Sequence, residues 1–146
     1  MTDRLSTLTR LRDMVRNADG PDQELACRLN AAFHGHDFAG DIFIGCGDAG
    51  ESEFCYSCDD GETEYVSELW ALDRRLDAVY GLADHRFTGC KISLSDVGQR
   101  HAAHIKYEGL EASAYGNTRP LAILDCLLSI LIEKEGKDAG SARWPI

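Results

Sequence analysis

The longest apolar run in the chain, residues 117–135 (NTRPLAILDCLLSILIEKE), limits the fold more than any other stretch. Leucines recur at i, i+3, i+7 and i+10 from Leu121, which is the spacing of one face of an α-helix. Only Asp125, Ser129 and Glu133 interrupt the apolar positions, four residues apart, and they predict a single solvent-exposed edge. The run is too short and too polar to cross a membrane. We therefore predict a core helix over residues 118–135.

The ends of this helix carry recognisable signals. Asn117 or Thr118 suits the N-cap, and Pro120 falls in the first turn, where its missing N–H is not needed. Gly136 suits a C-cap, and the neighbouring lysines favour the negative end of the helix dipole.

Three strand-like segments precede the helix, at residues 86–94, 101–107 and 110–115. Glu108-Gly109 forms a two-residue loop of the kind that supplies positive φ values, so it predicts a hairpin. Such a loop sets the register of the flanking strands. The predicted cross-strand pairs are Tyr107 with Leu110, Ile105 with Ala112, Ala103 with Ala114, and Lys106 with Glu111. Because all the pairs but the last are apolar, we expect a three-stranded antiparallel sheet with one covered face.

Helical periodicity also marks residues 2–33 and residues 65–80. We predict two short helices that form an N-terminal αα-hairpin over residues 1–33. Residues 34–64 read as an irregular acidic insertion or loop, with a short strand at 42–44. Residues 65–146 then form an α-β-β-β-α unit. The predicted fold is α+β, with a three-stranded antiparallel sheet packed on helices in one compact domain.

The net charge of −10 is concentrated in one stretch. Residues 37–64 hold nine acidic residues and no Lys or Arg, whereas the rest of the chain is nearly balanced. Such a surface opposes nucleic-acid binding and favours a basic protein or a cation. An ordinary solvated loop would have the same composition. The candidate partner-binding residues are Asp48, Glu51, Glu53, Asp59, Asp60, Glu62 and Glu64.

Three of the six cysteines lie in the same stretch. Cys55 and Cys58 have the C-x2-C spacing of a zinc knuckle, and Cys46 with His36 or His34 would complete a tetrahedral ligand set. A surface loop with free thiols and a redox pair are the alternatives, because a strong zinc signal has two such knuckles. We therefore predict no cofactor, with a structural zinc ion as the alternative. The remaining cysteines lie on apolar faces and read as small core residues.

Catalytic patterns are weak. Residues 45–50 match G-x-G-x-x-G, but the segment that follows is acidic and aperiodic, where a nucleotide-binding loop would open a helix. No motif identifies a nucleophile with its base. We predict that the protein is not an enzyme. No signal peptide is recognisable, which favours the cytosol and reduced thiols.

Three segments resemble those of a known family: GPDQELACRLNAAF (20–33), YVSELWALDRRLDAVYGL (65–82) and GLEASAYGNTRPLAILDCLLSILIE (109–133). They are similar to segments of the phage ABA-sandwich family of small, uncharacterised phage and prophage proteins. The resemblance implies an α–β–α unit, no catalytic residues and a place in the cytoplasm of a bacterial host. The central helix is longer and more charged than in the family pattern, and residues 34–64 have no counterpart in it.

Together, charge and resemblance predict a phage-encoded, non-enzymatic protein-binding protein. An anti-CRISPR-like inhibitor of a host defence complex fits best, because such complexes have basic grooves for nucleic acid. We expect no direct contact with nucleic acid or membrane. The alternatives are a structural or accessory phage protein with a zinc-stapled loop and, third, a small enzyme.

Overall fold

A computed structural model describes residues 4–20, 22–34, 38–46, 50, 52–67 and 71–143, with the backbone alone at 43, 46, 67 and 137–143. This part of the chain contains four helices and two three-stranded antiparallel sheets, which confirms the predicted α+β class. The helices are α1 (Arg4–Asn17), α2 (Gln23–Phe33), α3 (Leu76–Arg86) and α4 (Arg119–Arg143). The strands are β1 (Phe38–Cys46), β2 (Ser52–Cys58), β3 (Thr63–Ser67), β4 (Lys91–Val97), β5 (Arg100–Tyr107) and β6 (Leu110–Gly116).

Helix α4 lies at the centre of the main core, as predicted. Every residue from 121 to 128 is buried, because β5 and β6 pack on one side of the helix and α1 on the other. Thr118 accepts a hydrogen bond through Oγ1 from the N–H of Leu121, at 3.3 Å. The predicted end at Gly136 is wrong, since the helix continues to residue 143. A glycine inside a helix costs only about 1 kcal/mol and does not by itself end one.

The predicted solvent-exposed edge of α4 is also wrong at its centre. Asp125 is only 2% exposed, because α1 covers this edge with arginine side chains. Arg16 donates from Nε to Oδ2 of Asp125 at 2.9 Å, and Arg12 donates to Ser129 at 3.3 Å. Arg4 lies 4.0 Å from Glu135 at the far end. The basic face of α1 and the polar edge of α4 therefore form one interface.

The β5–β6 hairpin has the predicted register. All four predicted cross-strand pairs of the β5–β6 hairpin are present. Glu108 and Gly109 adopt φ values of 49° and 80°, as the two-residue loop requires. Lys106 Nζ lies 3.3 Å from Glu111 Oε1 on the outer face. The first strand begins later than predicted, at residue 91, because α3 extends to residue 86.

Residues 65–80 do not form the single helix that was predicted. Residues 65–67 end strand β3, residues 71–74 form a turn, and α3 begins at Leu76. The buried carboxylate of Asp73 stabilises this turn by accepting two hydrogen bonds. The backbone N–H of Asp22 donates one at 2.7 Å, and the Nε of Arg74 donates the other at 3.0 Å. The helical period of residues 65–80 therefore runs across the end of β3 and the start of α3. Pairing of β3 with β2, together with the hydrogen bonds of Asp73, outweighs the local helical preference.

The predicted irregular insertion, residues 34–64, contains most of a second sheet, β1-β2-β3. Its inner face follows a two-residue period in β2, where Phe54, Tyr56 and Cys58 are buried. Helix α2 lies between the two cores. Leu25 and Leu29 contribute to the main core, while other residues of α2, including Cys27, pack against the second sheet.

Candidate partner-binding surface

The β2–β3 hairpin presents the acidic residues on a well-defined turn. The N–H of Gly61 donates to the carbonyl of Cys58 at 3.0 Å, and the N–H of Cys58 donates to the carbonyl of Glu62 at 2.9 Å. Gly61 has φ +86°, so it takes the left-handed position of a type I turn followed by a bulge. Asp60 accepts the N–H of Glu62 through Oδ1 at 2.9 Å. The Asp-Asp-Gly sequence therefore encodes the turn that displays its own carboxylates.

The structure brings only part of the predicted acidic set together. Asp59, Asp60 and Glu62 are exposed at the hairpin tip, and Glu64 follows on β3, where it is half-buried. Glu53 lies at the opposite end of the hairpin, paired with residue 67, about 17 Å along the strand. Asp48 and Glu51 lie outside the described residues. We call Asp59, Asp60, Glu62 and Glu64 the acidic tip.

Local charges leave part of this tip without a counter-ion. Asp59 and Glu62 form no ion pair with any residue that the structure describes. Arg28 and Arg10 share a small cleft of about 140 Å³ with Asp59. Arg28, however, stacks 4.5 Å above the Phe38 ring and pairs with Glu24 at 3.7 Å. Asp59 and Glu62 are therefore available to a cationic group of a partner.

A groove of about 490 Å³ lies beside the hairpin, between β3, the end of α2, and α3. Its apolar lining includes Val66, Leu72 and Leu82, and its polar rim includes Asn30, His34, Glu53, His85 and Arg86. Tyr65 stands at this groove with 64% of its surface exposed. Sequence reasoning missed the groove because its residues come from separate elements. Assigning Tyr65 to a strand would have indicated an exposed aromatic side chain here.

The structure does not bring the proposed zinc ligands together among the residues that it describes. Cys55 and Cys58 lie three residues apart on β2, so their side chains point to opposite faces. The structure gives only the backbone of Cys46, and His36 lies outside the described residues. In the part of the chain that is described, no three His, Cys, Asp or Glu side chains form a group that could hold a metal ion. The zinc site stays a hypothesis.

Several of the thiols have a raised pKa. Burial raises the pKa of Cys27 and of Cys126 to about 12, and nearby carboxylates add to the effect. Burial, followed by the charge of Glu53, raises the pKa of Cys55. Reactive and redox-active cysteines have a lowered pKa. These environments therefore disfavour redox chemistry at Cys27, Cys55 and Cys126.

Two histidines of β5, His101 and His104, each contact a polar side chain of a neighbouring strand, away from the acidic tip. His104 Nδ1 lies 2.6 Å from Ser113 Oγ on the outer face. His101 Nδ1 lies 2.6 Å from Asp96 Oδ1 at the end of the sheet, and Arg119 reaches the other oxygen of that carboxylate at 3.1 Å. The two histidines occupy opposite faces of β5 and have different partners, so they do not form a ligand pair.

Within the described residues, no helix has the length and apolarity needed to span a bilayer. Comparisons with protein-family models, with curated proteins and with solved structures give no match to this chain. The resemblance to phage proteins therefore remains a prediction.

Proposed function

We propose that this chain is a non-enzymatic protein-binding protein that presents its acidic tip to a basic surface of another protein. One observation carries the proposal. The β2–β3 hairpin displays exposed carboxylates on a hydrogen-bonded turn, within a stretch that contains no Lys or Arg. Because the turn is preformed, binding would not have to order it first, which favours affinity.

The chemistry of the tip indicates the class of partner. Clustered carboxylates mimic the charge of nucleic-acid phosphates, and a net charge of −10 repels nucleic acid itself. A protein with a basic nucleic-acid groove is therefore the expected partner. An anti-CRISPR-like inhibitor of a host defence complex, acting in the bacterial cytoplasm, fits this chemistry. The resemblance to phage proteins supports that role.

A charge-neutralised variant tests the proposal. Affinity capture from bacterial lysate would identify the partner, and its Kd would then be compared for two triple variants. The test variant is Asp59→Asn, Asp60→Asn and Glu62→Gln. The matched control is Asp13→Asn, Asp19→Asn and Asp84→Asn, three exposed acidic residues outside the hairpin. Both triples remove the same number of negative charges.

We expect the test variant to bind about tenfold more weakly, mainly through slower association at low salt, and the control to bind like wild-type. Added duplex DNA should compete with the wild-type chain for the partner. Equal affinity of the two triples would refute a role for the acidic tip.

A further inference from the structure

Strand β3 lies at an edge of its sheet that no described strand covers. Among the described residues it pairs only with β2, and β1 occupies the other edge. Natural proteins usually protect such an edge with charged side chains, Pro, a bulge, a short strand or a covering segment, because its backbone groups can pair with another chain. Strand β3 reads Thr-Glu-Tyr-Val-Ser, and its pairing with β2 runs without a register shift. Its one charged side chain, Glu64, opposes pairing with an acidic segment and not with a basic one.

The register shows which backbone groups point outward. The N–H of Cys58 donates to the carbonyl of Glu62, and hydrogen-bonded pairs alternate along an antiparallel hairpin. The next hydrogen-bonded pairs are therefore Tyr56 with Glu64, and Phe54 with Val66. The intervening residues, Thr63, Tyr65 and Ser67, direct their N–H and C=O groups away from β2. A row of donors and acceptors thus faces the open edge.

The groove runs along this same edge. Tyr65 and Val66 both line it, although their side chains point to opposite faces of the sheet, as expected for a groove that follows the edge. Its far wall is the side of α3 that carries Ala78 and Leu82. An added strand would place its backbone on β3 and alternate side chains on this apolar wall.

We infer that β3 binds an extended basic segment of the partner as a fourth strand of the sheet. The inference rests on the proposed function and names the form of the bound segment. Charge favours a basic segment along β3, because exposed Glu62 lies at one end of the edge and Glu53 lines the groove at the other. Arg86 lies on the α3 side of the groove, across from the strand. A second copy of this chain would have the same negative charge and is disfavoured as the occupant. Main-chain hydrogen bonds would provide affinity, and the alternating side chains would provide selectivity.

A peptide titration tests the inference directly. The probe is an end-blocked peptide of alternating Lys and Val, added to the full-length ¹⁵N-labelled chain, and the control peptide alternates Glu and Val. We expect the basic peptide to shift the amide resonances of Thr63, Tyr65 and Ser67 and to slow their hydrogen exchange. We expect no such change with the acidic peptide. Absence of shifts with about 2 mM basic peptide overturns the inference.

A proline substitution separates strand addition from simple charge attraction. Thr63→Pro removes an outward N–H that β2 does not use, and proline is tolerated on edge strands. Thr63→Ala is the matched control, since it removes the side chain and keeps the N–H. We expect Thr63→Pro to weaken peptide binding at least about fivefold and Thr63→Ala to have little effect. Circular dichroism would check folding, and the exchange data on the wild-type chain decide the question if Thr63→Pro unfolds.

The variants distinguish failure of this inference from failure of the proposed function. If the hairpin triple loses binding while Thr63→Pro binds normally, strand addition is wrong and the acidic tip remains the binding surface. If the variant with Asp59→Asn, Asp60→Asn and Glu62→Gln binds normally, the acidic tip is not the binding surface and the proposed function is wrong. The peptide titration and Thr63→Pro then decide strand addition by themselves. A dimer of this chain by sedimentation that Thr63→Pro abolishes would show that a second copy occupies the edge, which also overturns the inference.

Discussion

The ion pair between Arg16 and Asp125 provides the sharpest test of how α1 is attached to the core. Asp125 lies in the middle of the buried stretch of α4, and its side chain is 3% exposed. Arg16 donates to it at 2.9 Å, and Ser129 is the only other described donor, at 3.3 Å. The hydrogen bond to Asp125 raises the pKa of the Arg16 guanidinium. Replacing Arg16 with Ala therefore leaves a buried carboxylate with one weak donor.

The exposure of the arginine limits the expected cost. Breaking a fully buried ion pair by removing one partner costs about 3–5 kcal/mol. The Arg16 side chain is 46% exposed, so water can partly replace it, and we expect Arg16→Ala to lower the free energy of unfolding by about 2–4 kcal/mol. Asp125→Leu removes the charge that needs solvation and adds apolar volume among leucines and isoleucines. We expect that variant to stay within about 1 kcal/mol of wild-type.

Urea unfolding at pH 7, followed by circular dichroism, measures both variants and their combination. In the double variant, Arg16→Ala should add almost nothing to Asp125→Leu, because the carboxylate that needed Arg16 is gone. Arg10→Ala, an exposed position on the same helix, controls for the loss of an arginine from α1. A loss of less than about 0.5 kcal/mol in Arg16→Ala, equal to that of Arg10→Ala, would refute the argument.

Further predictions concern packing, pH and the thiols. Gly116→Ala would place Cβ 2.6 Å from a backbone nitrogen of α4, so urea unfolding should show a loss of about 1–3 kcal/mol, whereas Gly136→Ala, in open space, should be neutral or stabilising. The hydrogen bonds of Asp96 to His101 and Arg119 lower the pKa of Asp96, so the ionised carboxylate stabilises the fold above about pH 4. This contribution to the free energy of unfolding is lost as pH falls below that value. Asp96→Asn should therefore flatten the dependence of the free energy of unfolding on pH below about pH 4. Iodoacetamide at pH 8 should leave Cys126 unmodified until urea unfolds the chain, because its pKa is about 12. Protein purified without a His-tag should contain less than about 0.2 zinc per chain, and a value near one would establish the zinc site.

Local signals in the sequence were sufficient for the β5–β6 hairpin and for α4. The Glu108-Gly109 turn determines the register, because its two positive φ values allow only one pairing of the flanking strands. The apolar run after Thr118 is too long and too continuous for anything but a buried helix. The concentration of acidic residues in residues 37–64 could also be seen in the sequence, because it depends on composition alone.

Other features depend on which surfaces meet in three dimensions. The acidic stretch folds as a sheet because α2 offers a second apolar face to Phe54 and Tyr56, and nothing in residues 34–64 indicates that partner. Asp125 is buried because α1, more than a hundred residues earlier, covers it with Arg16. Elements with local turns and periods, such as the β5–β6 hairpin and α4, follow from the sequence alone. The burial of charges, and the edge of β3 that no described strand covers, arise from contacts between distant segments, so they appear only once those segments pack together.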